Sequence, residues 1–214
     1  MKKAIVVLCA ASLALMSSCV GVSIDILANA DGSGKINLEY RVSHMLESMG
    51  RLDGNARWPA IPVGKADFER TLARIPGMSL GSFASKEVNA AGGKELVTRV
   101  TLNYRDTAAL LAFLDFAGSR AALVQKDGAS MLRLILRDSS ADITDTDLLA
   151  LMREVFAGYG MQLTFSAPKS ASLSVVPPSV ASARLTPHGR KVSFAMDMGE
   201  LLCMHEDLAL EIAW

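Results

Sequence analysis

From Val20 to Ala28 the chain reads Val-Gly-Val-Ser-Ile-Asp-Ile-Leu-Ala, with apolar side chains at Val20, Val22, Ile24 and Ile26. A repeat of two belongs to a half-buried strand, because successive side chains point to opposite faces. Asp31-Gly32-Ser33-Gly34 follows with residues that tolerate positive φ, and then Ile36, Leu38, Tyr40 and Val42 alternate again. The two runs predict a β-hairpin. The same pattern predicts a second hairpin over 78–89 and 95–104, with Leu96, Val100, Leu102 and Tyr104 as core candidates, and a third over 121–126 and 130–137 around Asp127-Gly128.

Between the hairpins the period lengthens. Phe68, Leu72 and Ile75 recur at helical spacing over 65–75, ahead of a Pro76-Gly77 stop. Asp106 is placed to cap a helix over 107–116 with Leu110, Leu111, Phe113 and Leu114 as its apolar face. Further helices are predicted over 148–158 and, capped by Ser43, over 44–49. The last third predicts strands over 161–166, 180–185 and 191–196, with a turn at Pro187-His188-Gly189 and a rigid joint at Pro177-Pro178. One helical turn over 199–203 and alternation of Leu208, Leu210, Ile212 and Trp214 complete it. Antiparallel hairpins interleaved with three or four short helices, packed on one face of a curved sheet, make an α+β fold. No repeat of fixed period is present.

Ahead of the first strand the pattern changes. Met1-Lys2-Lys3 is positive, the thirteen residues from Ala4 to Met16 are apolar except Ser12, and Ser17-Ser18-Cys19 follows. Thirteen helical residues at about 1.5 Å each reach about 20 Å, short of a hydrocarbon core of about 30 Å. The positive start and the small residues at the end favour a cleaved signal peptide over a buried helix. Leu15-Met16-Ser17-Ser18-Cys19 resembles the lipobox of bacterial lipoproteins, with Met16 where Leu is common. That resemblance implies cleavage between Ser18 and Cys19, a diacylglyceryl group on the Cys19 thiol, and acylation of the new amine. It divides the chain into a signal peptide, 1–18, and a lipid-anchored domain, 19–214, with a candidate sub-boundary near 159–178. Its location is then the extracytoplasmic side of the cell envelope, with the membrane as partner through the N-terminal acyl chains. A secreted protein cut nearby is the alternative.

Charge narrows the partners. The chain of 214 residues has 22 Lys and Arg against 22 Asp and Glu; loss of Lys2 and Lys3 leaves 20 against 22, a net charge of −2. No basic tract remains, which argues against nucleic acid as a partner. Of three cysteines, Cys9 lies in the signal and Cys19 in the lipobox, so Cys203 stands alone, with no internal disulfide framework. Beside Leu201, Leu202 and Met204 it reads as a buried, inert thiol.

Catalytic chemistry finds no pattern: there is no GxSxG, HExxH or phosphate-binding loop. His44, His188 and His205 are scattered without ligand spacing, and Asp142, Asp145 and Asp147 read as helix-start carboxylates rather than a calcium loop. No catalytic residue, metal ligand or cofactor is expected. The stretch 51–63 carries Arg57 and Trp58 ahead of Pro59. An amphipathic aromatic beside a cation suits an amphiphile's headgroup and first methylenes, and it equally suits a plug closing the core.

The strand start at Val22 to Ile26, the Asp31–Gly34 turn, the late Phe-Ser-Ala-Pro at Phe165 to Pro168 and His-Gly-Arg-Lys-Val-Ser-Phe at His188 to Phe194 are similar to the LppM-type domain of actinobacterial envelope lipoproteins. Spirochaete envelope lipoproteins also look similar. The resemblance implies an α+β domain that binds lipids or glycolipids, with no catalytic residues to carry across. Two functions follow: a non-catalytic, lipid-anchored module that binds a lipid or other amphiphile, its eleven methionines either suited to varied apolar ligands or simply filling the core, or an assembly subunit docking to an envelope protein complex through a sheet edge or apolar patch. A cavity of several hundred Å³ favours the first, and a filled core with a flat exposed patch the second.

Overall fold

Strand alternation brings the hairpins together as two sheets. A computed structural model of the chain describes residues 20–43, 64–90, 93–115, 119–126, 129–139, 146–156, 158–177 and 183–214. Among them are eleven strands: β1 (Val20–Ala28), β2 (Gly34–Ser43), β3 (Met78–Ala90), β4 (Gly93–Tyr104), β5 (Ala121–Lys126), β6 (Ala129–Arg137), β7 (Gly160–Ser166), β8 (Ser172–Val176), β9 (Arg184–His188), β10 (Lys191–Asp197) and β11 (Leu208–Ala213). Four helices accompany them, α1 (Lys65–Leu72), α2 (Thr107–Leu114), α3 (Thr146–Val155) and α4 (Met198–Cys203). The fold is α+β. The larger sheet runs β3-β4-β2-β1-β7-β10-β9 and the smaller β5-β6-β11-β8.

Register sets which side chains share a face. Ile26 stands opposite Ile36 and Ile24 opposite Leu38, while Leu102 and Val100 of β4 continue those two rows. With a side-chain period of two, all of these point the same way. Ile26, Ile36, Val100, Leu102, Leu163, Phe165, Val192 and Phe194 are buried there. The opposite face carries polar pairs beside the buried Val97: Arg99 Nε donates to Glu39 Oε2 at 2.6 Å and Thr101 Oγ1 donates to Asn37 Oδ1 at 3.0 Å. The Arg99 bond holds the Glu39 carboxyl below its usual range. From the smaller sheet, Leu132, Leu134, Leu208, Leu210 and Ile212 join the same core. Trp214 closes onto Phe165 with ring centroids 4.9 Å apart, tilted by 40°. Each such side chain contributes about 1.5–3 kcal/mol by leaving water, and this shared core holds the layers together.

Three features depart from the local pattern. β1 pairs in parallel with β7, Ile24 opposite Leu163 and Ile26 opposite Phe165, where hairpins predict antiparallel neighbours. Periodicity marks a strand without saying which distant strand lies beside it. β8 falls where no strand is expected, although Leu173 and Val175 alternate and pair with β11. The strand expected over 180–185 is instead Arg184–His188, and the turn moves to Gly189-Arg190, with φ +59 at Gly189 and Lys191 opposite His188. Pro187 is accommodated because β9 is an edge strand, where a missing N–H breaks no ladder. The helix expected over 44–49 lies outside the described residues.

Caps fix the helix starts. Asp106 accepts from the Ala109 N–H at 2.9 Å, the leading reason its carboxyl sits below the usual range, and Asp197 accepts from the Glu200 N–H at 3.0 Å. α1 ends at Leu72, three residues before the expected 75, and its chain turns through Gly77 at φ +86. α3 begins at Thr146, two residues early, with Asp147 in its first turn. The Cys203 thiol is buried and points at the Leu149 carbonyl oxygen at 3.7 Å, linking α4 to α3.

Tyr104 ties β4 to β1. Its hydroxyl donates to the Leu27 carbonyl oxygen at 2.7 Å, and burial together with the charge of Asp31 pushes its pKa up to about 12. A folded pKa above the ordinary value of about 10 means that this contribution is complete below pH 10 and is lost as pH rises to 12. Tyr104→Phe is expected to lower stability by about 1 kcal/mol at pH 8, the worth of one such bond. Denaturant titrations from pH 8 to 12 should show that deficit shrinking above pH 10; a constant deficit would mean the phenol does not titrate as placed.

Candidate functional site

Beyond Ile36, the inward face of the first hairpin continues through Leu38, Tyr40 and Val42 on β2 and Val22 on β1, Val22 standing opposite Tyr40. α1 lies over the same layer. Its Phe68 and Leu72, four residues apart and so on one helix face, are buried, and the Phe68 ring lies 5.9 Å from Phe83 of β3. Phe113 of α2 approaches from the side. Between these groups is a cleft of about 310 Å³, lined by Val22, Leu38, Tyr40, Val42, Phe68, Thr71, Leu72 and Phe113.

The wall is entirely apolar. Tyr40 contributes ring carbon, and its polar end is turned to a row of hydroxyls behind the wall. Burial raises the Tyr40 pKa, a hydrogen bond with Thr98 offsets part of that, and the charge of Asp67 on α1 adds to it. Thr98, fully buried, stands beside Tyr40 in register, and its Oγ1 lies 3.0 Å from Ser85 Oγ. Satisfying these hydroxyls among themselves leaves only carbon facing the cleft. A cleft of this size falls at the lower end of small-molecule sites, and its chemistry fits a hydrocarbon chain with no group to orient a polar head.

The two lining residues that carry a hydroxyl, Tyr40 and Thr71, expose no polar surface to the cleft. Among the described residues no group of three or more His, Cys, Asp or Glu could hold a metal ion. His188 ends edge strand β9 and His205 follows α4, both exposed and on separate elements. Cys19, Arg57 and Trp58 lie outside the described residues, as do His44, Asp142 and Asp145. The segment containing Arg57 and Trp58 joins β2, whose Val42 lines the cleft, to α1, whose Phe68 and Leu72 do.

The lining residues themselves were readable only as core. Alternation marks Val22, Leu38, Tyr40 and Val42 as inward-facing, while which helix covers them, and how closely, depends on contacts distant in sequence. Of the two roles open to the methionines, ligand contact and core filling, the described ones take the second: none lines the cleft, and Met196 is buried in the core with Met161, Met198 and Met204 packed against it. Unbranched side chains fill the irregular space where α4 meets the sheet layers instead. No protein-family model matches the chain, and no curated protein matches its sequence.

Proposed function

We propose that this protein is a non-catalytic, lipid-anchored lipoprotein of the bacterial envelope that takes the hydrocarbon part of a lipid or other amphiphile into the cleft under α1. The observation that carries the reading is the carbon-only wall around about 310 Å³. Apolar surface open to water is unfavourable at about 25 cal/mol per Å², and an acyl chain laid against it recovers that free energy. The lipobox at Leu15 to Cys19 and the likeness to LppM-type domains support the membrane setting. Among the described residues no helix is long and apolar enough to cross a membrane, so in this reading Cys19 supplies the attachment, and Arg57 and Trp58 are proposed to meet the headgroup.

A second reading, an assembly subunit, draws on β3, whose outer edge pairs with no described strand over Met78–Ala90. The bulge between Leu80 and Ser82 and the charges of Lys86 and Glu87 make that edge a poor template, which ranks the reading second.

The test uses the unacylated mature chain, residues 19–214 with Cys19→Ser, which retains every described element. A fluorescent dodecanoic acid is expected to bind it, and Leu38→Phe, which fills the cleft, should weaken binding by about 10-fold or more, the scale of a few lost methylene contacts. Equal binding by Leu38→Phe, or none by the parent chain, would remove the cleft as the site.

A further inference from the structure

We infer that, away from the bilayer, the cleft holds one acyl chain of the protein's own Cys19, and that insertion of this chain into the membrane frees the cleft for another amphiphile. The inference rests on the lipoprotein and cleft readings above. β1 begins at Val20, and Val22 is already part of the wall. Cys19 is therefore three residues from the wall, within about 11 Å at no more than about 3.6 Å per residue. β1 is fixed on both sides at that point, Val22 being paired with Tyr40 of β2 and with Met161 of β7, so the reach of the acyl chain is counted from a fixed residue of the wall. Val42, the β2 residue lining the same end of the sheet, completes the wall there.

Size and chemistry set the occupant. At about 30 Å³ for a water-sized group, 310 Å³ accommodates about ten methylenes, which is most of one acyl chain and not two. The wall has no polar atom to accommodate an ester or headgroup, so hydrocarbon enters and the glyceryl end stays outside. A chain tethered this closely competes at an effective concentration of about millimolar, well above that of a free lipid monomer. A free amphiphile therefore gains the cleft when the tethered chain leaves it, and the bilayer, which takes up that chain, is what empties the cleft.

The experiment compares acylated protein purified from membranes and then freed of detergent with the unacylated mature chain, in the same detergent-free buffer, using fluorescent dodecanoic acid as probe. Acylated protein is expected to bind the probe at least tenfold more weakly. Amide hydrogen exchange over 65–72 is expected to slow on acylation in the wild type and to be unaffected by acylation in Val22→Phe, whose ring occupies the cleft. Equal probe binding and equal exchange in the two forms would overturn the inference and leave the cleft reading standing. Failure of the unacylated chain to bind the probe would overturn both. Membrane-derived protein without acyl mass would overturn the inference together with the lipoprotein reading.

Discussion

Gly34→Ala is expected to destabilise the domain by about 4 kcal/mol, from overpacking and a buried hydrogen bond lost together. Gly34 stands in register between Ala28 of β1 and Tyr104 of β4. The Tyr104 ring lies against it, and the phenol passes on to the Leu27 carbonyl oxygen. A Cβ at this position would fall inside contact distance of both that oxygen and the Tyr104 hydroxyl. One neighbour is the backbone of Leu27, near the end of β1 but paired there with both β2 and β7, and the other is a buried ring, so neither yields cheaply. An aromatic covering a strand glycine is a recurring way to fill the gap that glycine leaves, and here the glycine is what admits the ring. Against a net stability of about 5–15 kcal/mol, the loss leaves little folded protein at elevated temperature. Urea denaturation of Gly34→Ala, Tyr104→Phe and the double variant checks it. The double should lose less than the sum of the singles, because both remove the same bond to Leu27. A Gly34→Ala protein within 1 kcal/mol of wild type would show that the strands part without strain.

The Gly34 site also shows how far local sequence reaches. Asp31 to Gly34 announces a turn, and it is one: the Asn29 N–H donates to the Ser33 carbonyl oxygen at 2.8 Å and Gly32 takes φ +84. The second role of Gly34, making room for Tyr104, depends on a strand seventy residues later and has no local signal. The same division runs through the fold. All three hairpins and the caps at Asp106 and Asp197 follow from neighbours in the chain. The parallel seam between β1 and β7 and the split into two sheets follow from which inward faces meet, and that is decided by side chains such as Phe165 and Trp214. Strand β8, at five residues, is too short for its alternation to stand out between two proline breaks.

For the cleft, chemistry was less legible than geometry. Functional residues are easiest to find in sequence when they are polar in an apolar setting, or clustered where charge is unneeded. Val22, Leu38, Val42, Phe68 and Leu72 are apolar residues at ordinary inward positions of a strand pair and a helix, and nothing in their identity separates a wall from a core. Their distinction is an incomplete contact between α1 and the β1–β2 face, a property of packing. The proposed anchor is the reverse case. Its signal is wholly local, a charge pattern and five residues, and owes nothing to the fold.

Replacing Cys19 with serine is expected to abolish acylation and to leave the precursor uncut, with residues 1–18 still attached. The lipobox reading makes diacylglyceryl transfer to the thiol the step that precedes cleavage, and a serine hydroxyl, with a far higher pKa than a thiol, does not replace the thiolate as nucleophile. The effect on attachment should be large in the mature chain, residues 19–214 with Cys19→Ser, made without the apolar segment that the uncut precursor retains. A single acyl chain binds a bilayer with a constant of only about 10⁴ M⁻¹, and two or more hold it stably, so losing them all removes at least about four orders of magnitude in affinity from the mature domain. Residues 19–214, net −2 without Lys2 and Lys3, carry no run of basic residues in their sequence to compensate. Cells expressing the wild type and Cys19→Ser would be fed labelled palmitate and the protein isolated for intact-mass measurement. The wild type should carry label and begin at Cys19; the variant should carry none and begin at Met1. A Cys19→Ser protein that is cut at the same place and still partitions into a detergent phase would rule out the lipid anchor, and with it the self-occupied cleft, while leaving the hydrocarbon-lined wall under α1 to be tested on its own.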